Sequence, residues 1–283
     1  MTLTQLQVFL KVVETGNFTL AAGQLYMTQS AVSHAIASLE RELGVILLQR
    51  QRTGVTMTSV GEQVLMHARV ILDQVECIQQ ETAEALGRAT GKLRLGSVPS
   101  VSKGVLPPLL GSFRRSYPGI AVTLLEGTDQ EVYDWLVSRA VDISVVTLPA
   151  DGVETISLAT DEMIAVLPAD HVLAKNVAIQ VEQIASDPFI MSKGGCEPLI
   201  RTIFERVGLT PRVAFEASDT EAILAMVQEG LGVTVVPQLS LSATSLHASV
   251  LPLDPPIYRR LGLAVRSHAS LSPAMKAFLR HVE

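Results

Sequence analysis

Residues 28 to 34 read Thr-Gln-Ser-Ala-Val-Ser-His, so hydroxyl, carboxamide and imidazole groups return every three or four positions. Wound as a helix, this stretch puts Val32, Ile36, Leu39 and Leu43 on one side and Gln29, Ser30, Ser33, His34, Ala37 and Arg41 on the other. The outward side is short and hydrogen-bonding. Such groups can reach base edges or phosphates from a helix in a major groove about 12 Å wide, where acidic side chains would be repelled and bulky apolar ones would obstruct. The same composition also suits an ordinary solvated face, and the helix alone does not decide between them.

A second polar group gathers where β-rich runs give way to helical ones. Ser97, Ser100 and Ser102 follow Leu93 to Leu95, Gly127 and Thr128 follow Ala121 to Leu125, and Thr147 and Pro149 follow Asp142 to Val146. Ser192, Lys193, Gly194, Gly195 and Cys196 follow Pro188 to Met191. In open α/β folds ligands sit beyond the carboxyl ends of strands. Hydroxyls and unpaired N–H groups at helix starts would suit an anion, with Lys103 or Lys193 as charge partner. These residues would equally serve as caps and turn formers. Cys196 is the candidate for reactive chemistry, because a helix N-terminus lowers a thiol pKa. A redox role needs a resolving thiol, and the other cysteine, Cys77, falls in a different segment.

Catalytic signatures are missing from the chain. GRATGKL at 87–93 resembles a phosphate loop, but leucine stands at 86 in place of the leading glycine and Leu93 replaces the magnesium-binding Ser or Thr. There is no Gly-x-Ser-x-Gly, HExxH or CxxC, and the six histidines, at 34, 67, 171, 247, 268 and 281, are scattered. Asp161 and Glu162 are adjacent, which sends them to opposite faces of a strand and makes them a poor acid/base pair. A non-enzyme without metal or other cofactor is expected.

The elements that must position these residues follow from pattern. A 283-residue chain with 48% apolar residues predicts about two domains. Charged residues are 18% and the net charge is −6, which excludes a polybasic binder and a disordered chain. Two distant cysteines, a first segment without the signature of a secretory signal, and no run of 18 apolar residues predict a cytoplasmic protein that does not span a membrane. Residues 1–58 read as three helices, seamed by Leu6, Phe9, Leu10 and Val13, by Leu20 and Leu25, and by Val32 to Leu43, with breaks at Gly16 and Gly44. Thr4 with Gln7 has capping-box spacing, and Thr19 and Thr28 are candidate N-caps. VILLQRQRTGVTMT then reads as a hairpin turning at Gly54, with Arg50 and Arg52 projecting toward phosphate or a minor groove.

Residues 59–86 lack proline and predict one helix of about 42 Å, at about 1.5 Å per residue. Val64, Ala68, Ile71, Val75, Ile78, Thr82 and Ala85 make a narrow heptad seam. It either rests on its own domain or, as its length favours, meets a partner helix. Beyond GRATG, β and α runs alternate twice, predicting a parallel sheet with helices on both faces and two lobes around a cleft. The expected divisions are 1–58, 59–88 and 89–283, the last with lobe I at about 92–160 and 265–283 and lobe II at about 161–264.

The order of these pieces resembles a known family. FTLAAGQLYMTQSAVSHAIASLERELGVILLQRQRTGVTMTSVG is similar to the winged helix-turn-helix of LysR-type transcriptional regulators. Phe18 to Ala22, Thr28 to Ser33, Leu39 to Gly44 and Arg50 to Gly61 carry the pattern, and Leu48 stands where phenylalanine is usual. GKLRLGSVPSVSKGVLPPLLGSFRRSYPGIAVTLLEG, AVDISVV, ATDEMIAVLPADHVLA and EGLGVTVVP resemble the same regulators' effector domain, a two-lobed α/β fold like type 2 periplasmic binding proteins. The resemblance implies contacts to double-stranded promoter DNA from Thr28, Gln29, Ser30, Ser33, His34, Arg50 and Arg52. It implies a small-molecule effector, read here as an organic anion such as an aromatic carboxylate or sulfonate, near Ser100, Thr128, Gly195 and Cys196. It also implies dimers paired through the long helix and assembled as tetramers. A two-lobed enzyme and a plain cytoplasmic binding protein are the alternatives; the first lacks signatures, and the winged head opposes the second.

Overall fold

The structure is a computed structural model that describes residues 1–51, 54–193, 195–241 and 247–282, with Arg50 described by its backbone only. The chain separates into two compact units, Met1–Arg88 and Ala89–Glu283.

In the first unit, α1 (Leu3–Thr15), α2 (Phe18–Gln24) and α3 (Gln29–Leu43) precede a hairpin of β1 (Leu48–Gln51) and β2 (Gly54–Met57), and α4 (Ser59–Ala85) follows. Gly16 and Gly44 end α1 and α3 in the left-handed conformation, at φ 61° and 73°, which glycine adopts without a Cβ penalty. The caps depart from expectation in two places. The capping box of α1 is Thr2 with Gln5, earlier in the chain than Thr4 with Gln7. Asn17, not Thr19, caps α2, because its carboxamide oxygen accepts from both Thr19 N and Leu20 N. Thr28 caps α3 as expected.

Leu6, Phe9, Val32, Ile36 and Leu39 form the head's core with Val12, Ala21, Ala22, Leu47 and Leu48. Leu20 does not join them and is 58% exposed. The seven-residue α2 turns Ala21 and Ala22 inward, which lets it lie close to its neighbours and leaves Leu20 in water. Leu48 is buried, so the residue at the family's usual phenylalanine position remains a core residue.

The wing is tied to both helices that flank it. Glu40 Oε1 accepts the backbone N–H groups of Leu47 at 2.8 Å and Leu48 at 3.1 Å. Thr58 Oγ1 caps α4 and donates to Ile46 O at 2.8 Å. Gly61 allows the closest approach, since a Cβ there would lie 2.2 Å from Leu47 O. The heptad seam is divided. Ala68 is buried and Val64 packs with it, beside Leu65 and Leu72, on the head's own core, whereas Ile71 and Ile78 are exposed, the latter at 61%.

The second unit has a six-stranded sheet in the order β4-β3-β5-β10-β6-β9 and a two-stranded sheet, β7-β8. Its strands are β3 (Thr90–Ser97), β4 (Gly119–Glu126), β5 (Ile143–Leu148), β6 (Glu154–Pro168), β7 (Pro188–Ser192), β8 (Arg212–Ala217), β9 (Thr234–Pro237) and β10 (Ala248–Val265). Its helices are α5 (Pro99–Gly104), α6 (Leu106–Ser116), α7 (Asp129–Val137), α8 (Glu197–Glu205), α9 (Thr220–Gln228) and α10 (Pro273–Val282).

The α/β alternation is present, but the sheet is mixed. β3 is parallel to β4 and β5, and β7 to β8, whereas β10 runs antiparallel to β5 and β6, and β6 to β9. The long strands β6 and β10 carry the antiparallel pairing. Pro252, Pro255 and Pro256 hide β10 in the sequence, and its register to β6 shifts between Pro252 and Ile257.

Two principal cores result. Leu93, Leu95, Phe113, Ile143, Leu261, Leu263 and Phe278 share one, and Met163, Leu167, Phe189, Phe204, Val235, Leu251 and Leu253 share the other. β10 therefore runs through both lobes.

Candidate nucleic-acid interface and effector cleft

On α3 Val32, Ile36 and Leu39 are buried as expected but Leu43, at the last turn, is exposed, while Gln29, Ser30, His34, Ala37 and Arg41 are exposed and Ser33 is half-buried. The polar face is internally ordered. Thr28 Oγ1 accepts from Ala31 N at 3.2 Å and pairs with Ser30 Oγ at 3.0 Å, and Gln29 Nε2 donates to Ser33 Oγ at 2.9 Å. These bonds restrict the rotamers of the groups that would meet DNA, which lowers the entropy lost on binding. The first turn has no acidic residue, so no local negative charge opposes an anion at the amino end of α3. The Arg50 side chain and the whole of Arg52 lie outside the described residues.

The effector candidates separate when placed in the structure. Ser100 on α5 and Cys196 beside α8 are brought together by Arg259 of β10. The guanidinium donates through Nη2 to Ser100 Oγ at 2.5 Å, and its Nη1 lies 3.7 Å from Cys196 Sγ. Its charge is balanced by Asp161 of β6, whose Oδ2 accepts from Arg259 Nε at 2.9 Å and Nη2 at 2.7 Å. Thr147 Oγ1 donates to Asp129 Oδ1 at 2.9 Å, and Asp129 packs directly on Gly195.

Other candidates have local duties or different surroundings. Thr128 caps α7 in a box with Glu131. Ser97 is fully buried and donates to Val98 O. Ser192 is buried in β7. Gly194 lies outside the described residues. Ser100 and Ser102 line a cavity of about 540 Å³ with Lys103, Glu126, Asp219 and Ser240. Thr147 and Asp129 line a second, of about 300 Å³.

Three expectations of this cleft change on electrostatic grounds. Lys103 is bonded to Glu221 at 3.0 Å, and Lys193 to Glu197 at 2.7 Å with Glu216 at 3.6 Å, so both expected charge partners are engaged with carboxylates. Burial pushes the Cys196 thiol up to about 11, outweighing the lowering effect of Arg259, while Asp129 and Asp161 raise it further. Cys196 is half-buried against the second core, and the helix start does not offset the effect of that environment on the thiol. Asp161 and Glu162 do take opposite faces, but the buried Asp161 has a structural partner that the sequence did not disclose. Asp161 and Arg259 sit opposite each other in the β6–β10 register, and no local motif joins residues so far apart.

The chain matches two family descriptions. "Bacterial regulatory helix-turn-helix protein, lysR family" matches residues 3–62, and "LysR substrate binding domain" matches residues 86–283. The HTH-type transcriptional regulator YvbU of Bacillus subtilis (strain 168) is 38% identical over 99% of this chain and 97% of that protein. The probable regulator LrrA of Synechococcus elongatus is 36% identical over 99% and 95%. A full-length OxyR variant from Pseudomonas aeruginosa superposes with a TM-score of 0.77 at 24% identity, covering 100% of this chain and 94% of that one. CbnR complexed with its target DNA superposes with a TM-score of 0.69 at 23% identity, covering 100% and 99%, and these two likenesses concern the fold.

The winged head, the long helix and the two-lobed α/β unit thus occur together in one lineage, and the chain belongs to the LysR family of transcriptional regulators.

Proposed function

We propose that this regulator reads duplex promoter DNA through Thr28, Gln29, Ser30, Ser33 and His34 of α3, with Arg50 and Arg52 on the wing. A small organic anion, such as an aromatic carboxylate or sulfonate, enters the cleft beside Ser100, Ser102, Thr128, Thr147, Gly195 and Cys196 and alters that binding, with Ser97 and Ser192 buried in the strands behind them. The working divisions are a head at 1–58, a linker at 59–88 and an effector domain at 89–283, with lobe I at about 92–160 and 265–283 and lobe II at about 161–264, the far end of β10 with Leu261 and Leu263 packing in the first core. Copies pair along α4, dimers join into tetramers, and the protein acts in the cytoplasm.

The ordered Gln29–Ser33 pair on an exposed helix face is the observation that supports the DNA reading most directly. For the effector, the support is the hydroxyl of Ser100, which lines a cavity of about 540 Å³ and is oriented by Arg259, whose own charge Asp161 balances.

Footprinting on the DNA flanking the protein's own coding region, repeated with a panel of carboxylates and sulfonates, tests both parts. Protection that weakens steeply with salt and changes with a panel member is expected, because phosphate contacts release counterions. An effector at about 100 times its Kd would also stabilise the protein by roughly 2.7 kcal/mol. No protection of any promoter fragment at low salt defeats the DNA reading, and a panel without a thermal shift defeats the anion reading.

A further inference from the structure

The two lobes touch where the cleft would receive an anion, and the chain has placed a carboxylate of its own there. Asp129 is the first residue of α7, a helix that joins the first core through Val132. Gly195 precedes α8, which joins the second core through Ile200, Ile203 and Phe204. A Cβ on residue 195 would stand 2.4 Å from Asp129 Oδ2 and 3.2 Å from its backbone nitrogen. Gly195 also holds φ at +112°, a conformation that L side chains rarely adopt. Glycine therefore lets the carboxylate in twice over, by the missing atom and by the backbone angle.

The seat has further walls. Thr147 Oγ1 donates to Asp129 Oδ1 at 2.9 Å, fixing the rotamer. The negative charge is near enough to Cys196 to raise its thiol pKa. Beside Asp129 lies the cavity of about 300 Å³, lined also by Gln130, Tyr133, Thr147 and Asp151.

We propose that Asp129 is an internal occupant of the anion seat, and that an effector carboxylate takes the seat by displacing it from Gly195 toward the adjacent cavity. This rests on the anion-sensing reading of the cleft and narrows it to ligands bearing a carboxylate-sized group. Two carboxylates at contact distance repel, and Lys193, two residues before Gly195, is already engaged by Glu197 and Glu216, so the seat holds one carboxylate at a time. Displacement would release the contact between the lobes, which links ligand occupancy to their arrangement. Apparent affinity is reduced by the fraction of time the internal group fills the seat.

The test is chemical replacement in the full chain. Asp129→Ala empties the seat, and formate supplied in solution should fill it. Thermal unfolding in formate, compared with chloride at equal ionic strength, should show a saturable rise in Tm for the variant and none for the wild type. An identical response of the variant to formate and chloride overturns the proposal.

If Asp129→Ala does not fold, Asp129→Asn keeps the shape without the charge. It should respond to formate where the wild type does not, and equal responses overturn the proposal. The wider panel separates the two readings. Formate filling the variant while no organic carboxylate or sulfonate shifts the wild type supports the seat and removes the anion effector. A panel carboxylate that binds wild type and Asp129→Ala with equal affinity keeps the anion effector and removes the displacement.

Discussion

Asp161 and Arg259 face each other across β6 and β10, 2.7 Å apart at their closest atoms and both almost fully buried. The guanidinium continues from this pair to Ser100 on α5 and to the neighbourhood of Cys196 on the other lobe. Removing one partner leaves a buried charge without its counterion, which typically costs about 3–5 kcal/mol. Arg259→Met and Asp161→Leu alone should each lower the Tm in thermal unfolding by much more than the double variant does. A double variant as unstable as the sum of the singles would show that the two do not form an isolated pair.

On α3, Gln29→Ala and Ser33→Ala should reduce discrimination between a promoter site and random DNA by about 1–3 kcal/mol each if they contact base edges. Because the two side chains hydrogen-bond to each other, their effects should not be additive. Arg52→Ala should instead weaken binding to all sequences and reduce the slope of log K against log salt by about 0.9 if it contacts one phosphate. Competition binding at several salt concentrations separates these outcomes. A Gln29→Ala variant with unchanged discrimination would remove this residue from base reading.

The Cys196 thiol, raised to about 11, should be protonated at neutral pH and slow to alkylate. Its reaction with iodoacetamide, followed site by site by mass spectrometry, should increase about tenfold per pH unit as the thiolate fraction rises. The linked stability has a definite sign. The folded pKa lies above the reference value of 9.0, so this contribution is fully present below about 9 and is lost as pH rises through about 11. Rapid alkylation at pH 7 would contradict the raised thiol pKa.

Ile71 and Ile78 lie on the exposed stretch of the α4 seam, beyond the part that rests on the head. If copies pair along α4, Ile78→Glu should shift the full chain toward monomer in light scattering and weaken promoter binding. The change is at an exposed position, so the Tm of the dissociated chain should move by no more than about 0.5 kcal/mol equivalent. Unaltered mass at micromolar concentration would direct attention to another pairing surface.

The head is legible in the sequence because its signals are local: apolar positions at helical spacing, Gly16 and Gly44 at the breaks, and an unbroken run from Ser59 to Ala85. What escapes depends on contacts between distant residues or on competition among adjacent caps. Asn17 outcompetes Thr19 because α1 ends at Gly16 and leaves Asn17 extended at the entry to α2. Glu40 belongs to a visible Leu-Glu pair, yet its hold on the wing becomes apparent only when Leu47 and Leu48 fold back onto it. β10 is obscured by three prolines, and with it Arg259, the residue that joins Ser100 to Asp161. Lys103 suits the cleft by charge alone, and nothing in the local sequence reveals Glu221 across space, whereas Glu197, four residues after Lys193, is a partner that helical spacing offers.

The fit of Gly61 against Leu47 ties the segment that enters the wing to the start of the long helix. A helix of 27 residues spans about 40 Å, so tilting it by about 10° carries its far end through about 7 Å. That sweep is more than half the width of the major groove, about 12 Å. If copies pair along α4, small angular adjustments at the crossing decide whether successive heads fall into phase with the duplex.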